Sequence, residues 1–155
     1  MDINLRGYCP ADLDALGQLF YETVHTVNAV DYTPEQINAW APGAIDRARW
    51  SQTLAEHFTQ IAQMGDQIVG FGDLAEDGYL DRLYVHRDFQ HCGVATALCD
   101  ALEAQARRLG VPAVRTHASI TARPFFEKRG YRVIREQQVE RAGVRLTNYV
   151  MERKL

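Results

Sequence analysis

The segment from Leu83 to Thr96 holds the residues whose types and spacing are best suited to chemistry. An aromatic and β-branched run ends at Val85, a polar loop follows, and Gly93 and Ala95 begin a run of apolar residues at helical spacing. The first turn of a helix presents unpaired backbone N–H groups and the positive end of the helix dipole, which bind phosphate without basic side chains. The small residues would let a pyrophosphate approach the backbone. A tight strand-to-helix connection without a ligand fits the same spacing.

The elements that must position this segment follow from apolar periodicity and from Gly, Pro and Asp-Gly breaks. Strands are predicted over Ile3–Tyr8, Phe58–Met64, Gln67–Leu74, Tyr79–Val85, Ala113–Ala118, Tyr131–Glu140 and Val144–Glu152. Helices are predicted from Pro10, after a capping box at Thr33–Gln36, and over Asp46–Glu56, Val94–Leu109 and Thr121–Arg129. This order predicts an α/β (α+β) fold in which helices cover a mixed sheet.

Length and composition limit the class of protein. The 155 residues correspond to about one domain, and no repeat or linker suggests a boundary within 1–155. Hydrophobic residues make up 46% and charged residues 24%, as in ordinary globular proteins. The net charge of −3 offers no basic excess for nucleic acid. Because neither a signal peptide nor a membrane-spanning run of about 18 apolar residues is present, we expect a cytoplasmic protein with no nucleic-acid or membrane partner.

The three cysteines, Cys9, Cys92 and Cys99, are odd in number and widely spaced. They form neither a Cys-x-x-Cys motif nor a Cys/His cluster, so we expect no disulfide framework and no metal site. Cys92 stands close to a predicted helix N-terminus, where a thiol can become reactive. We interpret it instead as a small residue near a phosphate.

Two motifs carry a resemblance to a known family. Gln90-His91-Cys92-Gly93-Val94-Ala95, between a strand and a long helix, resembles the acetyl-CoA motif Arg/Gln-x-x-Gly-x-Gly/Ala of the GNAT superfamily of N-acetyltransferases. The segment from Ser119 to Tyr131 is similar to the family's later motif, an Ala-bearing helix ending in Gly-Phe or Gly-Tyr. The element order fits the family over essentially the whole chain. More narrowly, the segments 32–40 and 118–122 resemble a bacterial YafP-like branch of acetyltransferases.

The resemblance implies a single acetyltransferase-like domain over 1–155 that binds acetyl-CoA as co-substrate. Its sheet would be mostly antiparallel and splayed by a β-bulge between the fourth and fifth strands, with the thioester in the gap. Backbone groups of Leu83 and Val85 would hold the pantetheine arm, and N–H groups from 91 to 96 the pyrophosphate. A backbone N–H near Leu83 would polarise the thioester carbonyl. The implied cofactor contacts are Leu83, Tyr84, Val85, Gln90, His91, Cys92, Gly93, Val94, Ala95, Thr96, Ser119, Phe125 and Phe126, with Arg123, Lys128 and Arg129 near the 3′-phosphate.

The implied activity is transfer of an acetyl group to a primary amine of a small molecule or peptide, by direct attack in a ternary complex. An amine with a pKa of about 10.4 must first lose a proton. Asp81 is the expected base, acting through water or by binding a cationic amine electrostatically, and its strand parity places it on the same face as Leu83. The alternative is an ion pair with Arg82 or Arg6. His117 is a second expected base or proton shuttle, unless its role is structural.

Two positions depart from the family pattern. Ser119 stands where many members have Asn, and Phe126 where many have a Tyr that protonates the departing thiolate. A thiol with a pKa of about 8.5 leaves tolerably unprotonated, and Tyr84, Tyr131 or Tyr149 could substitute unless each only packs. Two alternatives therefore stay open: a non-catalytic acyl-CoA-binding or regulatory module, and an acyltransferase that uses a longer acyl chain.

The acceptor site is expected on the N-terminal helices. Tyr32, Trp40 and Trp50 offer aromatic surface there for an apolar or cationic group. Packing of these rings in the core is the alternative. The sequence does not name the acceptor, and the resemblance is compatible with a homodimer.

Overall fold

The computed structural model describes residues 2–155, and Met1, the first residue of the predicted unit 1–155, lies outside them. The strands are β1 (Asn4–Gly7), β2 (Phe58–Met64), β3 (Gln67–Leu74), β4 (Tyr79–Val85), β5 (Ala113–Ser119), β6 (Arg132–Arg141) and β7 (Val144–Lys154). The α-helices are α1 (Leu13–Thr26), α2 (Pro34–Trp40), α3 (Arg47–Glu56), α4 (Val94–Leu109) and α5 (Arg123–Lys128). The predicted α/β class and the predicted order of elements are both confirmed.

The strands of residues 2–155 form one sheet in the order β1-β2-β3-β4-β5-β7-β6. Neighbours are antiparallel except β4 and β5, which are parallel because α4 crosses over between them. Their pairing is confined to Tyr79 opposite Arg115 and Leu80 opposite Thr116. Beyond Leu80 the two strands separate, which confirms the predicted splay between the fourth and fifth strands.

A β-bulge on β4 lies where the splay begins. In the pairing with β3, Asp73 lies opposite Arg82 but Leu74 lies opposite Leu80. Asp81 is therefore an extra residue without a partner on β3.

The bulge directs the Asp81 side chain to the face opposite to the predicted one. Its carboxylate lies 3.6 Å from the guanidinium of Arg82, which reaches Thr53 of α3. Leu83 packs instead with residues of α4, on the opposite face of the sheet. The predicted parity of Asp81 with Leu83 was wrong because a bulge shifts the alternation of side chains by one residue.

The sheet has two faces, which different helices cover. Helices α1, α2 and α3 cover the face that we call the α1 face, where Leu16, Phe20 and Phe71 form the centre of the core. Helices α4 and α5 cover the α4 face, with Leu102 and Phe126 at its centre. Complete burial of such a side chain stabilises the fold by about 1.5 to 3 kcal/mol. Within residues 2–155, no helix combines the length and the apolar character needed to cross a membrane.

Local signals explain where the helices begin and end. The predicted capping box is confirmed, since Gln36 N donates to Thr33 Oγ1 at 3.2 Å and Thr33 N donates to Gln36 Oε1 at 2.9 Å. The helix predicted from Pro10 begins with a 3-10 turn before α1. Helix α5 is shorter than predicted, because Ala122 N donates to the Ser119 hydroxyl in a turn before it.

Candidate functional site

A cleft of about 790 Å³ lies at the β4–β5 splay. Its lining comes from both faces of the sheet: Val27 and Trp40 from the α1 face, and Val94, Phe125 and Phe126 from the α4 face. Where two strands separate, backbone groups and side chains of both faces become accessible to the same molecule. The arrangement can hold a long ligand on one face and a second reactant on the other.

The start of α4 forms the α4-face end of the cleft. Gly93 is the N-cap, with a φ of 86°, and apart from Gly93 and its two chain neighbours the described chain has no heavy atom within 4 Å of the point where its Cβ would stand. The first bond of the helix is donated by Ala97 N to Gly93 O. The N–H groups of Val94, Ala95 and Thr96 are therefore without an intrahelical acceptor, and these residues line the cleft. This is the geometry of an anion site at a helix N-terminus.

The loop before α4 is tied to the end of β4 through Gln90. Its Nε2 donates to Val85 O at 2.7 Å, and Thr23 Oγ1 donates to the same oxygen at 3.1 Å. His91 adopts a left-handed backbone conformation with a φ of 59° and lines the cleft with Gln90. Cys92 is exposed and lies outside the lining. The Gln90 side chain thus shapes the loop by bonding to the protein itself.

Asp81 lines the cleft with 29% of its side chain exposed. Its Oδ2 lies 3.6 Å from Arg82 Nη1 and 3.9 Å from His57 Nδ1. Burial and the neighbouring Asp73 raise the pKa of Asp81, while Arg82, His57 and Arg49 act in the opposite direction. A raised pKa makes the carboxylate a better proton acceptor than an exposed aspartate.

Of the two ion pairs considered for Asp81, the structure contains the one with Arg82. Arg82 is close enough for an ion pair, but Arg6 bonds to Asp12 instead. The Asp81 carboxylate keeps its access to the cleft beside Arg82. Its ion pair and a role in proton transfer are therefore compatible.

A buried charged network lies behind Asp81. Asp73 is fully buried and accepts hydrogen bonds from Arg82 N at 2.8 Å, Arg82 Nη1 at 2.5 Å and His57 Nδ1 at 2.8 Å. Arg82 also donates to Thr53 Oγ1 at 2.7 Å and lies 4.6 Å from the ring centroid of Trp50. One imidazole nitrogen of His57 and one carboxylate oxygen each of Asp73 and Asp81 lie within 4.8 Å of one another. The Arg82 guanidinium already supplies a positive charge at that place.

Sequence reasoning missed His57 and Asp73 as neighbours of the site. The predicted β2–β3 hairpin could have indicated this contact. Its pairing of Phe58 with Leu74 brings His57, just before β2, beside Asp73 near the end of β3. The bulge then brings Asp81 to the same face.

His117 lines the cleft from β5. Its ring packs edge to face with Tyr79, with 5.2 Å between the centroids. Burial and the nearby Arg115 lower the pKa of His117, so its imidazole is neutral at neutral pH and can accept a proton.

Of the three aromatic residues predicted for the acceptor site, Trp40 lines the cleft. Tyr32 does not, since it is 8% exposed and its hydroxyl accepts from Ile120 N and donates to Thr147 O. Trp50 packs in the core beneath the Arg82 guanidinium. Internal partners hold the side chains of Tyr32 and Trp50 away from the cleft, which agrees with the alternative of packing in the core.

Of the three basic residues predicted near the 3′-phosphate, Lys128 lines the cleft. Arg129 is committed to Glu103, with bonds of 2.7 and 2.9 Å, and to Asp100 at 2.5 Å, so its prediction was wrong. Arg123 lies over the ring of Tyr149, 4.5 Å from its centroid.

The three tyrosines considered as proton donors have different surroundings. Tyr131 donates to the buried Glu103 at 2.7 Å, and the ring of Tyr149 packs under Arg123. Tyr84 lines the cleft, and burial raises its pKa, so that it stays protonated. Among these three tyrosines, Tyr84 lines the cleft and the other two do not.

The remaining predicted positions lie at the floor of the cleft. Phe126 is 2% exposed and packs against Tyr131, with 4.9 Å between the ring centroids. The Ser119 hydroxyl accepts from Ala122 N at 3.0 Å and from Asn28 Nδ2 at 3.4 Å. Ser119 thus links β5 to the turn before α5 and to the α1 face.

Residues 28–153 match the acetyltransferase (GNAT) domain family. The chain is 37% identical over 153 residues to a protein of Escherichia coli (strain K12) called uncharacterized N-acetyltransferase YafP, covering 99% of this chain and 97% of that protein. A GCN5-related N-acetyltransferase from Rhodopseudomonas palustris, also named aminotransferase class-II, has a TM-score of 0.96 and 35% identity, covering 100% of this chain and 97% of that chain. The paia N-acetyltransferase from Thermoplasma acidophilum, in complex with coenzyme A, has a TM-score of 0.81 and 20% identity, covering 100% of both chains.

Proposed function

Because this chain belongs to the GNAT family of acetyltransferases, we propose that it moves an acetyl group from acetyl-CoA to a primary amine by direct attack in a ternary complex. We propose further that residues 1–155 work as one acetyltransferase domain. The observation that carries the proposal is the cleft at the β4–β5 splay, whose lining contains both the start of α4, with its free N–H groups, and the Asp81 carboxylate.

The α4 face supports binding of acetyl-CoA, which supplies the acetyl group as a thioester. The free N–H groups of Val94, Ala95 and Thr96 would hold the pyrophosphate, over which Gly93 leaves open space. Lys128, which lines the cleft, would pair with the 3′-phosphate. The related protein from Thermoplasma acidophilum was solved with coenzyme A, which agrees with this assignment.

The backbone of β4 supports the placement of the pantetheine arm. His86 N donates to Val69 O on β3, and hydrogen-bonded pairs alternate along an antiparallel ladder. Tyr84 opposite Phe71 is then a bonded pair, and the N–H and C=O of Leu83 turn toward the gap beside β5. Leu83 N–H is positioned to donate to a carbonyl oxygen in the gap, a type of contact worth about 3 to 4 kcal/mol to the transition state.

The α1 face supports binding of the amine. Trp40 and Tyr84 present aromatic surface to a cationic group, and Asp81 attracts the ammonium form. Asp81 takes up the proton that the ammonium loses, through a water molecule, and the amine nitrogen forms its bond to the acetyl carbon as the bond to sulfur breaks. The bonded nitrogen then loses its second proton, and Tyr84 or solvent delivers one proton to the thiolate, so that the products are the amide and free CoA. The Tyr84 hydroxyl replaces the family tyrosine whose position Phe126 occupies.

The test is an assay of thiol release from acetyl-CoA with a panel of alkylamines, aralkylamines, amino acids and peptides, with the mass of each product measured. We expect release that depends on the amine and a product heavier by one acetyl group. Binding of acetyl-CoA without release on any amine would support a non-catalytic acyl-CoA-binding module instead. Faster release from a longer acyl-CoA would support the alternative acyltransferase, with the chain against Phe125 and Phe126.

A further inference from the structure

We propose that His57 and Asp73 are positioning residues for Asp81, and that the imidazolium of His57 keeps the Asp81 carboxylate ionised and directed into the cleft. The inference rests on the proposed function, in which Asp81 accepts the proton of the amine. Neither His57 nor Asp73 lines the cleft, so both would act through Asp81 and Arg82.

The first support is the backbone that carries Asp81. Asp73 Oδ1 accepts from Arg82 N at 2.8 Å, at the point where the bulge interrupts the ladder. A side-chain carboxylate thus satisfies a backbone N–H that the bulge frees from regular pairing. Because Asp73 is fully buried and rigidly bonded, it fixes the bulge and the direction in which Asp81 leaves the strand.

The second support is the position of the cations between the carboxylates. His57 Nδ1 lies 2.8 Å from Asp73 Oδ2 and 3.9 Å from Asp81 Oδ2. Arg82 Nη1 lies 2.5 Å from Asp73 Oδ2 and 3.6 Å from Asp81 Oδ2. Both cations contact Asp73 directly and also face Asp81. A change in the charge of either one therefore changes the pKa of the Asp81 carboxylate.

The third support is the charge of the cluster. With both carboxylates ionised and Arg82 charged, a neutral His57 leaves one net negative charge in a largely buried place, whereas the imidazolium leaves none. A net buried charge is costly, so the proton on His57 and the ionisation of Asp81 are coupled. The hydrogen bond to Asp73 raises the pKa of His57, which favours the imidazolium near neutral pH.

Other charged or titratable groups also face Asp81. Arg49 from α3 opposes the rise in the pKa of Asp81 from a greater distance. Tyr79 from β4 has a pKa raised by burial, and His117 from β5 has a pKa lowered by burial. Both are therefore neutral at neutral pH, and His57 is the neighbour that gains or loses charge there.

The test is the pH profile of kcat/KM for wild-type protein and His57→Gln, with the best amine of the panel. Loss of a positive charge beside Asp81 should raise the pKa of this carboxylate, so the acid limb of the profile should shift to higher pH by about half to one unit. Above that limb, kcat/KM should return to within about threefold of wild type, because Asp81 is then ionised in both proteins. His57→Lys restores a cation and should move the limb back.

The control is His25→Gln, which removes a half-buried histidine that bonds to Ala41 O away from the cluster. It should leave the acid limb in place. A His57→Gln profile that is lowered equally at every pH would overturn the inference, because a purely structural role has that effect. An inactive wild-type protein would overturn the proposed function instead.

A second measurement does not depend on turnover. The imidazole nitrogen shifts of His57 are titrated by NMR in wild-type protein and in Asp81→Asn. If the two groups are coupled, the pKa of His57 falls by about half a unit or more in the variant. An identical titration in both proteins would overturn the inference, whether or not the variant retains activity.

Discussion

His57 Nδ1 and Asp73 Oδ2 lie 2.8 Å apart, at the point where the end of α3 meets the end of β3. His57 is also the C-cap of α3, and its N–H donates to Thr53 O. One residue therefore ends a helix, pairs with a buried carboxylate and faces the candidate base of the cleft.

The first prediction concerns stability and pH. Because the bond to Asp73 raises the pKa of His57, the folded protein holds this proton more tightly than the unfolded chain does. The resulting stabilisation is fully present below the ordinary histidine pKa of about 6.5 and is lost as the pH rises through the folded-state pKa. Urea unfolding of wild-type protein and His57→Gln should show a difference of about 1.5 to 3 kcal/mol at acidic pH that shrinks at alkaline pH. A difference that grows with pH would contradict this sign.

The second prediction concerns the carboxylate in the cleft. Asp81→Asn should lower kcat by on the order of a hundredfold or more, because the amide cannot take up the proton of the amine. The free energy of unfolding should not fall, since burial raises the pKa of Asp81 and so disfavours its charged form. Steady-state kinetics and urea unfolding measure the two effects. Asp66→Asn, in the exposed turn between β2 and β3, is the control, and an equal loss of rate in both variants would reject the role of Asp81.

The third prediction separates a core tyrosine from a residue of the cleft. Tyr32→Phe removes the hydroxyl that bonds to Ile120 N and Thr147 O, so it should destabilise the protein by about 1 to 3 kcal/mol without changing KM for the amine. Trp40→Phe keeps an aromatic ring but reduces the surface that lines the cleft, and it should raise KM for the amine severalfold. A larger change of KM in Tyr32→Phe than in Trp40→Phe would show that the acceptor site has been misplaced.

The fourth prediction concerns the buried Glu103 on α4. Its carboxylate accepts bonds from Arg129, Arg153 and Tyr131 and is 1% exposed. Glu103→Gln removes the buried negative charge that lies between Arg129 and Arg153 and should destabilise the protein by about 3 to 5 kcal/mol in urea unfolding. Asp100→Asn, which removes an exposed partner of the same Arg129, should cost about 1 kcal/mol or less. Equal effects of the two substitutions would contradict the importance assigned to burial.

Much of the fold could be predicted from local patterns. The bounds of β2, β3, β4 and α4 agree with the sequence, because Gly65-Asp66, Asp77-Gly78 and Gly110-Val111-Pro112 delimit their apolar runs. The order of elements predicted a mixed sheet covered by helices, and the motif from Gln90 to Ala95 predicted the start of α4, which lies in the cleft.

The surroundings of Asp81 could not be predicted, because they depend on contacts between distant residues. Strand parity predicted the wrong face for the Asp81 side chain, because a single bulge residue does not change the apolar pattern of the sequence. The bond between His57 and Asp73 forms only when β2 pairs with β3. Similarly, the aromatic character of Tyr32 and Trp50 indicated a binding surface, whereas both side chains contact partners far along the chain.

Calorimetric titration of acetyl-CoA tests most directly whether the start of α4 binds this cofactor. Gly93 and Gly110 cap the two ends of α4 with φ values of 86° and 76°, and apart from each glycine and its chain neighbours the described chain has no heavy atom within 4 Å of either Cβ position. Glutamate therefore meets the same backbone strain at both positions, but only Gly93→Glu places a negative charge beside the anion site. We predict that wild-type protein and Gly110→Glu bind acetyl-CoA alike and that Gly93→Glu binds on the order of tenfold or more weakly. Equal affinity in all three proteins, or no binding by wild-type protein, would contradict the account.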